Sequence, residues 1–222
     1  GVFHVEHDYT NLWRRFQKTL KQRNQLLRHG RMDEDLLRTW TAELIPLCEH
    51  ITRFRRQYLS SLAGHVSNAV SAFEGLGKVS LEYYCGWDEE RTLADVYTAD
   101  HGRDIGTKTT NHGAHRADIR IKVDGRAAAE HLSRGQIKLL VYALKLAQAG
   151  YYRENTGESC LFLLDDLPAE LDYQHRRQVI SYLNDLGCQY FITGVDKKDF
   201  EGLVKTVPHQ MFHMEHGVVL VD

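Results

Sequence analysis

The sequence lacks several features that would assign it to a common class of protein. Among its 222 residues there are only 4 cysteines, and none of them forms a C-x-x-C pair. Their wide spacing argues against a disulfide framework and favours reduced, buried thiols in a cytosolic protein. No apolar run reaches the roughly 18 residues that a membrane-spanning helix needs. The start at Gly1 has neither an initiator methionine nor a signal-peptide pattern, which favours an internal cut.

An excess of one sign of charge is also missing. The net charge is −2 with 26% charged residues, so the overall balance gives no indication of nucleic-acid binding. Residues 14–31 depart from this balance, because they contain many basic side chains and no acid. Two alternatives are open for this segment: a solvated helix face, which is the usual role of a charge run, or a surface that follows a DNA backbone. The DNA hypothesis rests on Arg14, Arg15, Lys18, Lys21 and Arg23.

The first third of the sequence predicts a helical arm, residues 1–76. Apolar residues recur at helical spacing over residues 11–27, and a heptad-like seam runs from Leu37 to Leu62. Two helices joined at residues 30–33 would pack as an antiparallel pair. Pro46 lies inside the second helix and is expected to kink it, because proline removes a backbone donor there.

Residues 77–222 predict an α/β lobe with a partly parallel sheet. Strand patterns and helix patterns alternate, and Asp124-Gly125 is typical of a tight hairpin turn. Ser133 is a good N-cap for a helix that reaches about Ala149. We expect strands at 79–84, 117–123, 160–164 and 189–193, further helices at 88–98 and 173–186, and a closing hairpin at His216-Gly217.

An apolar run ends abruptly in two acids at Asp165 and Asp166. Leu161–Leu164 is apolar on both faces, which predicts a strand buried in the middle of a sheet. Ligands of open α/β sheets bind at the carboxyl ends of their strands. Asp165 is therefore a candidate to hold Mg²⁺ through water, and Asp166 to orient or deprotonate an attacking water. The alternative is a strand end followed by a solvated turn.

The segment Leu132–Gln136 predicts a phosphate site. A serine N-cap followed by Gly135 leaves unpaired backbone N–H groups at the positive end of a helix. Arg134 and Gln136 can add side-chain donors. An ordinary capped helix start is the alternative. The order along the chain favours the first interpretation, because this segment is followed by an apolar helix, a strand, the two acids and then Ala169–Asp172.

Together these motifs resemble the RecF family of SMC-like ABC ATPases, over a length that corresponds to the C-terminal two-thirds of a family member. The resemblance extends from the helical arm to the C-terminus and includes upstream matches. It is carried by Leu132–Leu140, Ala143–Gln148, Leu164–Asp166, Ala169–Asp172, Gly113–Asp118, Lys21–Asn24 and Glu43–Leu47. An SMC-type head is disfavoured by the short arm, and no transporter-coupling sequence is identified.

The resemblance implies a role for each motif residue. The signature segment Leu132, Ser133, Arg134, Gly135 and Gln136 would face ATP held by a partner head, with Ser133 and Gly135 at its γ-phosphate. Asp165 would serve Mg²⁺ in its own head, and Asp166 would be the catalytic carboxylate. The D-loop residues Ala169, Glu170, Leu171 and Asp172 would line the seam of a head-to-head homodimer. The family's γ-phosphate-sensing histidine is missing, and Thr193 stands in its place as a weak substitute.

The resemblance also implies a cellular role. It predicts part of a cytoplasmic, ATP-dependent clamp on double-stranded, gapped DNA that acts in replication, recombinational repair and the SOS response with RecR and RecO. Family members place a phosphate loop with a lysine upstream of Gly1, and no such loop is found in these residues. We therefore expect slow ATP hydrolysis by an intact member and none by this chain alone. The alternative is a non-catalytic interaction module in which the acids are structural.

Overall fold

The computed structural model describes residues 1–6, 8–28, 33–200, 202–203, 208–216 and 218–221. Its helices are α1 (Val2–Val5), α2 (Tyr9–Arg28), α3 (Glu34–Ser71), α4 (Leu93–Ala99), α5 (His101–Thr107), α6 (Ala128–His131), α7 (Arg134–Thr156), α8 (Leu167–Glu170) and α9 (Tyr173–Asp185), with a 3-10 turn at Lys197–Phe200. Its strands are β1 (Val79–Tyr84), β2 (Asp118–Val123), β3 (Arg126–Ala127), β4 (Leu161–Leu164), β5 (Gln189–Ile192), β6 (Phe212–Glu215) and β7 (Val218–Val221). None of the helices within these ranges is long and apolar enough to cross a membrane.

Helices α2 and α3 pack as an antiparallel pair. Side-chain hydrogen bonds join the start of α2 to the middle of α3 and the end of α2 to the start of α3. They run from Arg55 to Tyr9 (2.9 Å), from Thr19 to Glu43 (3.4 Å) and from Arg23 to Thr41 (2.9 Å). The predicted join at residues 30–33 lies mostly outside the described residues. Asp33 can be described, and its carboxylate caps α3 by accepting from the Leu36 N–H at 3.0 Å.

Helix α3 continues through Pro46 to Ser71 and belongs to two hydrophobic cores. Its 38 residues correspond to about 57 Å. Leu44 and Ile51 pack with α2, α4 and the loop residue Ala114 in one core. Leu62 and Val66 pack with α7, β4 and α9 in the other. The boundary that we predict at residue 76 therefore does not divide the cores, because one helix is long enough to enter both.

The antiparallel sheet follows its predicted pattern. β1 pairs with β2 in a register that places Val79 opposite Val123 and Tyr84 opposite Asp118. The turn to β3 has positive φ at both central residues, 50° at Asp124 and 80° at Gly125. This is the backbone of the tight hairpin turn that the Asp-Gly pair predicts.

Two helices differ from their predicted limits because of capping residues. α4 begins at Leu93 rather than near residue 88, since the Thr92 hydroxyl accepts from the Asp95 N–H at 3.1 Å. α7 continues past Ala149 to Thr156 and stops where Gly157 takes a left-handed conformation with φ 74°. Both differences arise from local hydrogen bonding that hydrophobic periodicity does not record.

The parallel pair β4–β5 corrects one expectation. Leu161 to Leu164 lie opposite Gln189 to Ile192, so this sheet has only these two strands within the described residues. α7 and α9 cover one face, where Leu164 is buried. The other face leaves Leu161 56% and Leu163 75% exposed. The predicted burial on both faces is therefore wrong for this chain, because no described element packs on the second face.

Candidate functional site

The helix α7 begins with two reciprocal hydrogen bonds. Ser133 has an extended backbone and its hydroxyl accepts from the Gln136 N–H at 3.3 Å. The Gln136 side-chain carbonyl accepts from the Ser133 N–H at 3.0 Å. This capping box fixes the loop against the positive end of a 23-residue helix. The predicted N-cap is confirmed, and the remaining N–H groups of the first turn can meet an anion.

Gly135 lies in the open part of this helix start. A Cβ placed on Gly135 would meet no atom within 4 Å, and both Ser133 and Arg134 are exposed. Packing within the chain therefore does not require a glycine here. Glycine does leave room for a ligand to approach the backbone closely. The backbone of the loop is thus open to solvent at Gly135.

Gln136 has a second contact that the sequence does not reveal. Its side-chain N–H donates to the backbone carbonyl of Gly75 at 2.9 Å, at the turn that follows α3. Its two polar atoms are therefore both occupied within the chain, one by Ser133 and one by Gly75. The structure places Gln136 as a support for the loop; neither bond uses the second N–H of its amide, and its predicted contact with a phosphate stays a prediction.

The two acids meet the end of the neighbouring strand. Thr193 follows β5, and its N–H extends the parallel ladder by donating to the Leu164 carbonyl at 3.0 Å. The Thr193 hydroxyl donates to Asp165 Oδ1 at 2.6 Å and accepts from the Asp166 N–H at 2.8 Å. One hydroxyl thus holds both acidic residues in position. The sequence suggests Thr193 as a phosphate sensor, but here its hydroxyl is engaged with the acids.

Asp166 adopts a strained backbone. Its φ is 48° and its ψ is 42°, in the left-handed region that residues with a Cβ seldom occupy. The Asp166 carbonyl accepts from the N–H groups of Ala169 at 3.0 Å and Glu170 at 3.3 Å, which starts the short helix α8. Both Asp165 and Asp166 are exposed at this turn. Strain of this kind is frequent where a side chain must be aimed at a ligand.

The donor set at this edge suits Mg²⁺ only together with a phosphate. The described residues contain no group of three His, Cys, Asp or Glu side chains that could hold a metal. Mg²⁺ commonly takes one or two protein carboxylates and completes its shell with water and substrate phosphates. Asp165, oriented by Thr193, fits that pattern and could hold such an ion.

The predicted D-loop residues lie between the acids and α9. Ala169 and Glu170 are in α8, and Leu171 is buried. Asp172 caps α9, since its Oδ1 accepts from the His175 N–H at 3.0 Å and its Oδ2 lies 2.8 Å from His175 Nδ1. The hydrogen bond from the His175 N–H lowers the pKa of Asp172, with a smaller contribution from the His175 ring. Asp172 is therefore ionised at neutral pH and fixed at the start of α9.

An ion pair joins this region to the helix α7. Lys138 Nζ lies 2.5 Å from Glu170 Oε2, and both side chains are about two-fifths exposed. Lys138 is two residues beyond Gln136 on α7. The signature loop and the D-loop are consequently linked within one chain.

Helix α2 presents an exposed basic stripe, which we define as Arg14, Lys18, Lys21 and Arg28. These residues are spaced by four, three and seven, so they share one face of the helix and span about 21 Å. All four are exposed. Arg15 is also exposed, on the flank of this face. The stripe therefore offers cations to a polyanion without a rearrangement of the helix.

Arg23 does not belong to this surface. Its side chain is 1% exposed and lies 2.8 Å from Asp104, which is equally buried. It also donates to the hydroxyls of Thr41 at 2.9 Å and Thr110 at 2.7 Å. The contact with Asp104 is an ion pair by distance, although its direction is not that of a hydrogen bond. The predicted DNA contact of Arg23 is therefore wrong, because its guanidinium is buried and contacts Asp104, Thr41 and Thr110 inside the protein.

The chain is similar to known proteins over nearly its whole length. The family model described as RecF/RecN/SMC N terminal domain matches residues 9–219. The DNA replication and repair protein RecF of Chromohalobacter salexigens is 42% identical over 223 aligned residues, which cover 100% of this chain and 62% of that protein. The protein of the same name from Stutzerimonas stutzeri is 43% identical and matches 99% of this chain and 60% of its own length. The chain thus spans about three-fifths of these relatives.

Solved structures give the same result for the fold. One, described as the recombination mediator protein RecF-ATPrS in the RecFOR pathway, is 28% identical with a TM-score of 0.79, and the match covers 98% of this chain and 59% of that one. A second, described as RecF-ATP in the same pathway, has a TM-score of 0.80 at 24% identity. The predicted fold class, a mixed α/β lobe of the ABC ATPase type with a helical arm, is confirmed.

Proposed function

The chain belongs to the RecF/RecN/SMC N-terminal domain family, and from that membership we propose that it forms the arm and the signature-bearing lobe of an ATP-switched DNA-binding protein of recombinational repair. The observation that carries the proposal is the capping box of Ser133 and Gln136 beside the open Gly135. That loop suits a phosphate from outside the chain. The names of its relatives, which are repair and recombination-mediator proteins, support the same conclusion.

The proposed switch is a nucleotide shared between two copies. Ser133 and Gly135 of one copy would meet the γ-phosphate of ATP held by the other, since the loop has backbone donors but no phosphate loop is found in this sequence. Mg²⁺ would neutralise developing charge on the phosphates. Asp165 would hold that ion, and Asp166 would orient or deprotonate the attacking water. The D-loop, Ala169–Asp172, would lie along the seam.

The proposed DNA surface is the basic stripe on α2. Its four exposed cations lie on one face over about 21 Å, comparable to several phosphate steps along a duplex. We further propose double-stranded, gapped DNA as the ligand, RecR and RecO as partners, and a cytoplasmic role in replication, repair and the SOS response. These proposals rest on the family and on the pathway that the ATP-bound relatives are named for.

A chimera provides the direct test of the switch. This chain would replace its aligned segment in the Chromohalobacter salexigens RecF protein, which supplies the rest of the polypeptide. Sedimentation with Mg-ATP should show a dimer. Ser133→Arg should abolish that dimer without weakening nucleotide binding, because the bulky cation occupies the partner's phosphate position. Ser60→Arg, at an exposed serine on α3, is the matched control and should dimerise normally.

Hydrolysis tests the acids separately. Asp166→Asn in the chimera should reduce ATP turnover by roughly 100-fold or more, the range for loss of a general base, while ATP-dependent dimerisation persists. If Ser133→Arg and Asp166→Asn both behave as the unmodified chimera, the alternative of a non-catalytic interaction module is favoured. Micromolar Mg-ATP affinity of this chain alone, by isothermal titration, would contradict the proposed division of the site.

Salt dependence tests the DNA surface. Lys18→Glu with Lys21→Glu should weaken duplex binding by the chimera and lower the slope of log affinity against log salt by roughly 1 for each phosphate that the protein no longer neutralises. Lys78→Glu, at an exposed lysine before β1, is the control and should leave the slope unchanged. Equal slopes for both variants would remove the stripe from the DNA interface.

A further inference from the structure

The turn that follows α3 touches both motif segments of the proposed switch. We call Glu74–Gly75 the arm corner. Its Gly75 carbonyl accepts from Gln136 at 2.9 Å, next to the signature loop. Its Glu74 carboxylate accepts from the Gln174 side chain at 2.6 Å, at the start of α9 and just beyond the D-loop. The end of the arm helix is thus bonded to the two segments that would meet a partner copy.

The link from the corner to the signature loop passes through one side chain. Gln136 accepts from the Ser133 N–H with its carbonyl and donates to Gly75 with its amide. A displacement of the corner would therefore pull on the residue that fixes Ser133. Glutamate could perform the first task, since S-x-x-E is an equally good capping box, but it has no proton to donate to Gly75.

The link to the D-loop is made by neighbouring groups. The Glu74 carbonyl lies 3.4 Å from His175 Nε2, and the same ring holds Asp172 through Nδ1 at 2.8 Å. Lys138 and Glu170 close the third side, between α7 and α8. The corner, the signature helix and the D-loop are consequently connected pairwise.

The corner directly follows a residue that is anchored in the core. Phe73, directly before it, is 3% exposed and lies in the core with α7 and α9, where its ring stacks on Tyr182 with centroids 6.4 Å apart. Gly75 has a φ of 82°, a left-handed turn that glycine adopts without strain. A buried anchor followed by a sharp, exposed turn leaves only a short backbone path between the end of α3 and the two hydrogen bonds.

We propose that Gln136 and Glu74 are positioning residues, through which the arm helix α3 sets the signature loop and the D-loop for pairing with a second copy. The proposal rests on the proposed ATP-dependent dimer. The hydrogen bonds concerned are exposed, so they contribute little to stability. Their effect is on where Ser133 and Asp172 lie relative to each other. Binding of the arm to DNA would then act on dimerisation through this corner.

Gln136→Glu in the chimera separates the two roles of Gln136. If Gln136 only caps α7, glutamate is an adequate cap, and ATP-dependent dimerisation can change only through the added charge. If it also ties the loop to the arm corner, dimerisation weakens by roughly tenfold, the effect of removing one hydrogen bond from each of two symmetric heads. Nucleotide affinity of the undimerised head and the thermal midpoint should change little in either case.

Gln174→Met removes the second link without adding a charge near the phosphate. It keeps the length of the side chain but cannot donate to Glu74, and it should also weaken ATP-dependent dimerisation several-fold. Glu74→Gln is the conservative control, because its amide carbonyl still accepts from Gln174. It should dimerise like the unmodified chimera, whereas Glu74→Ala should resemble Gln174→Met.

The outcomes support the positioning roles, overturn them, or refute the proposed switch. Weaker dimerisation of both Gln136→Glu and Gln174→Met, together with normal dimerisation of Glu74→Gln, supports the positioning roles. Weakening by Gln136→Glu alone overturns them, because the added charge beside the phosphate then explains the effect. Normal dimerisation of both variants overturns them as well. If the unmodified chimera binds Mg-ATP but stays monomeric, it is the proposed switch that fails, and this is visible before any variant is measured.

Discussion

Two groups of charged residues differ sharply in their burial and in the partners that this chain provides for them. Arg23 and Asp104 are both 1% exposed; Arg23 contacts two threonine hydroxyls and the Tyr97 ring, and Asp104 accepts two hydrogen bonds from Asn111. Asp165 and Asp166 are exposed, and the structure pairs neither with a cation among the residues it describes. The first group is complete within the chain. The second is held in place by Thr193 and otherwise faces solvent.

The same contrast extends to the apolar residues around each group. The core beside Arg23 encloses Phe16, Leu44 and Ile51 fully. The sheet that carries the acids leaves Leu163 75% exposed on its uncovered face. A complete region constrains its residues by packing and pairing, so substitutions there change stability. A solvent-facing region is constrained less by packing, so substitutions there should change stability less.

The largest effect is expected for the buried pair. Arg23→Ala leaves the buried Asp104 carboxylate without its cation, although Asn111 still donates to it, and this should lower the free energy of unfolding of this chain by about 3–5 kcal/mol. Urea denaturation followed by circular dichroism measures it. Arg28→Ala, an exposed arginine on the same helix, is the control and should change stability by less than about 0.5 kcal/mol.

A double variant checks the cause. Arg23→Met combined with Asp104→Leu removes both charges, so its loss should be smaller than the sum of the single losses. Simple additivity would mean that packing, and not the ion pair, accounts for the effect. Equal stability of Arg23→Ala and Arg28→Ala would remove the contrast between buried and exposed cations altogether.

The second prediction compares adjacent leucines on opposite faces of β4. Leu164→Ala empties a buried position and should cost about 2–5 kcal/mol. Leu163→Ala removes a side chain that is already in water, so it should cost less than about 0.5 kcal/mol. Thermal or urea unfolding of the two variants measures the difference. Similar losses would show that the second face of the sheet is covered in solution.

These differences mark where the sequence is sufficient for prediction. The N-cap at Ser133 and the turn at Asp124-Gly125 depend on neighbouring residues only, so both follow from the local pattern. The apolar run Leu161–Leu164 indicates burial on both faces, yet burial depends on which elements pack on the sheet. Among the described residues, helices pack on one face of this strand only, so the local pattern overestimates its burial.

The remaining contacts join residues that are distant in sequence. Arg23 looks like its basic neighbours on α2, and its burial depends on Asp104, which is on α5. Gln136 looks like a ligand residue, and its partner is the carbonyl of Gly75, a group that has no sequence signature at all. Helical spacing could have warned about Arg23, since it points away from the stripe formed by Arg14, Lys18 and Lys21.

The third prediction concerns Asp172, an exposed residue whose constraint is local. Asp172→Ala removes the N-cap of α9 and should cost about 1 kcal/mol at neutral pH, while Asp172→Asn should cost less because it still accepts from the His175 N–H. The pKa of Asp172 is lowered in the folded chain. Its ionised form therefore adds stability above its unfolded pKa, near about 3.9, and that part is lost as the pH falls through the folded pKa. The difference between the native chain and Asp172→Asn should shrink on acidification.

The last prediction compares how fast two cysteines of the unmodified chain are labelled. Burial raises the pKa of Cys48 to about 11, and Cys48 is 0% exposed in the core beside Arg23. Cys160, before β4, is partly exposed. A limiting amount of an alkylating reagent at pH 8 should therefore label Cys160 well before Cys48, as peptide mass spectrometry can measure, since the thiolate must be both formed and accessible.

Labelling of Cys48 should then report the opening of the core beside Arg23, which contains Phe16, Leu44 and Ile51. If it reacts only when that core opens, Arg23→Ala should accelerate its labelling by roughly 100-fold, which corresponds to about 3 kcal/mol. Leu163→Ala, on the uncovered face of the sheet, should leave the rate for Cys48 unchanged. Acceleration by both variants would show that the two regions open together, through the helix α3 that enters both cores. Acceleration by Arg23→Ala alone would mean that the core beside the arm opens as its own unit, even though one helix belongs to both.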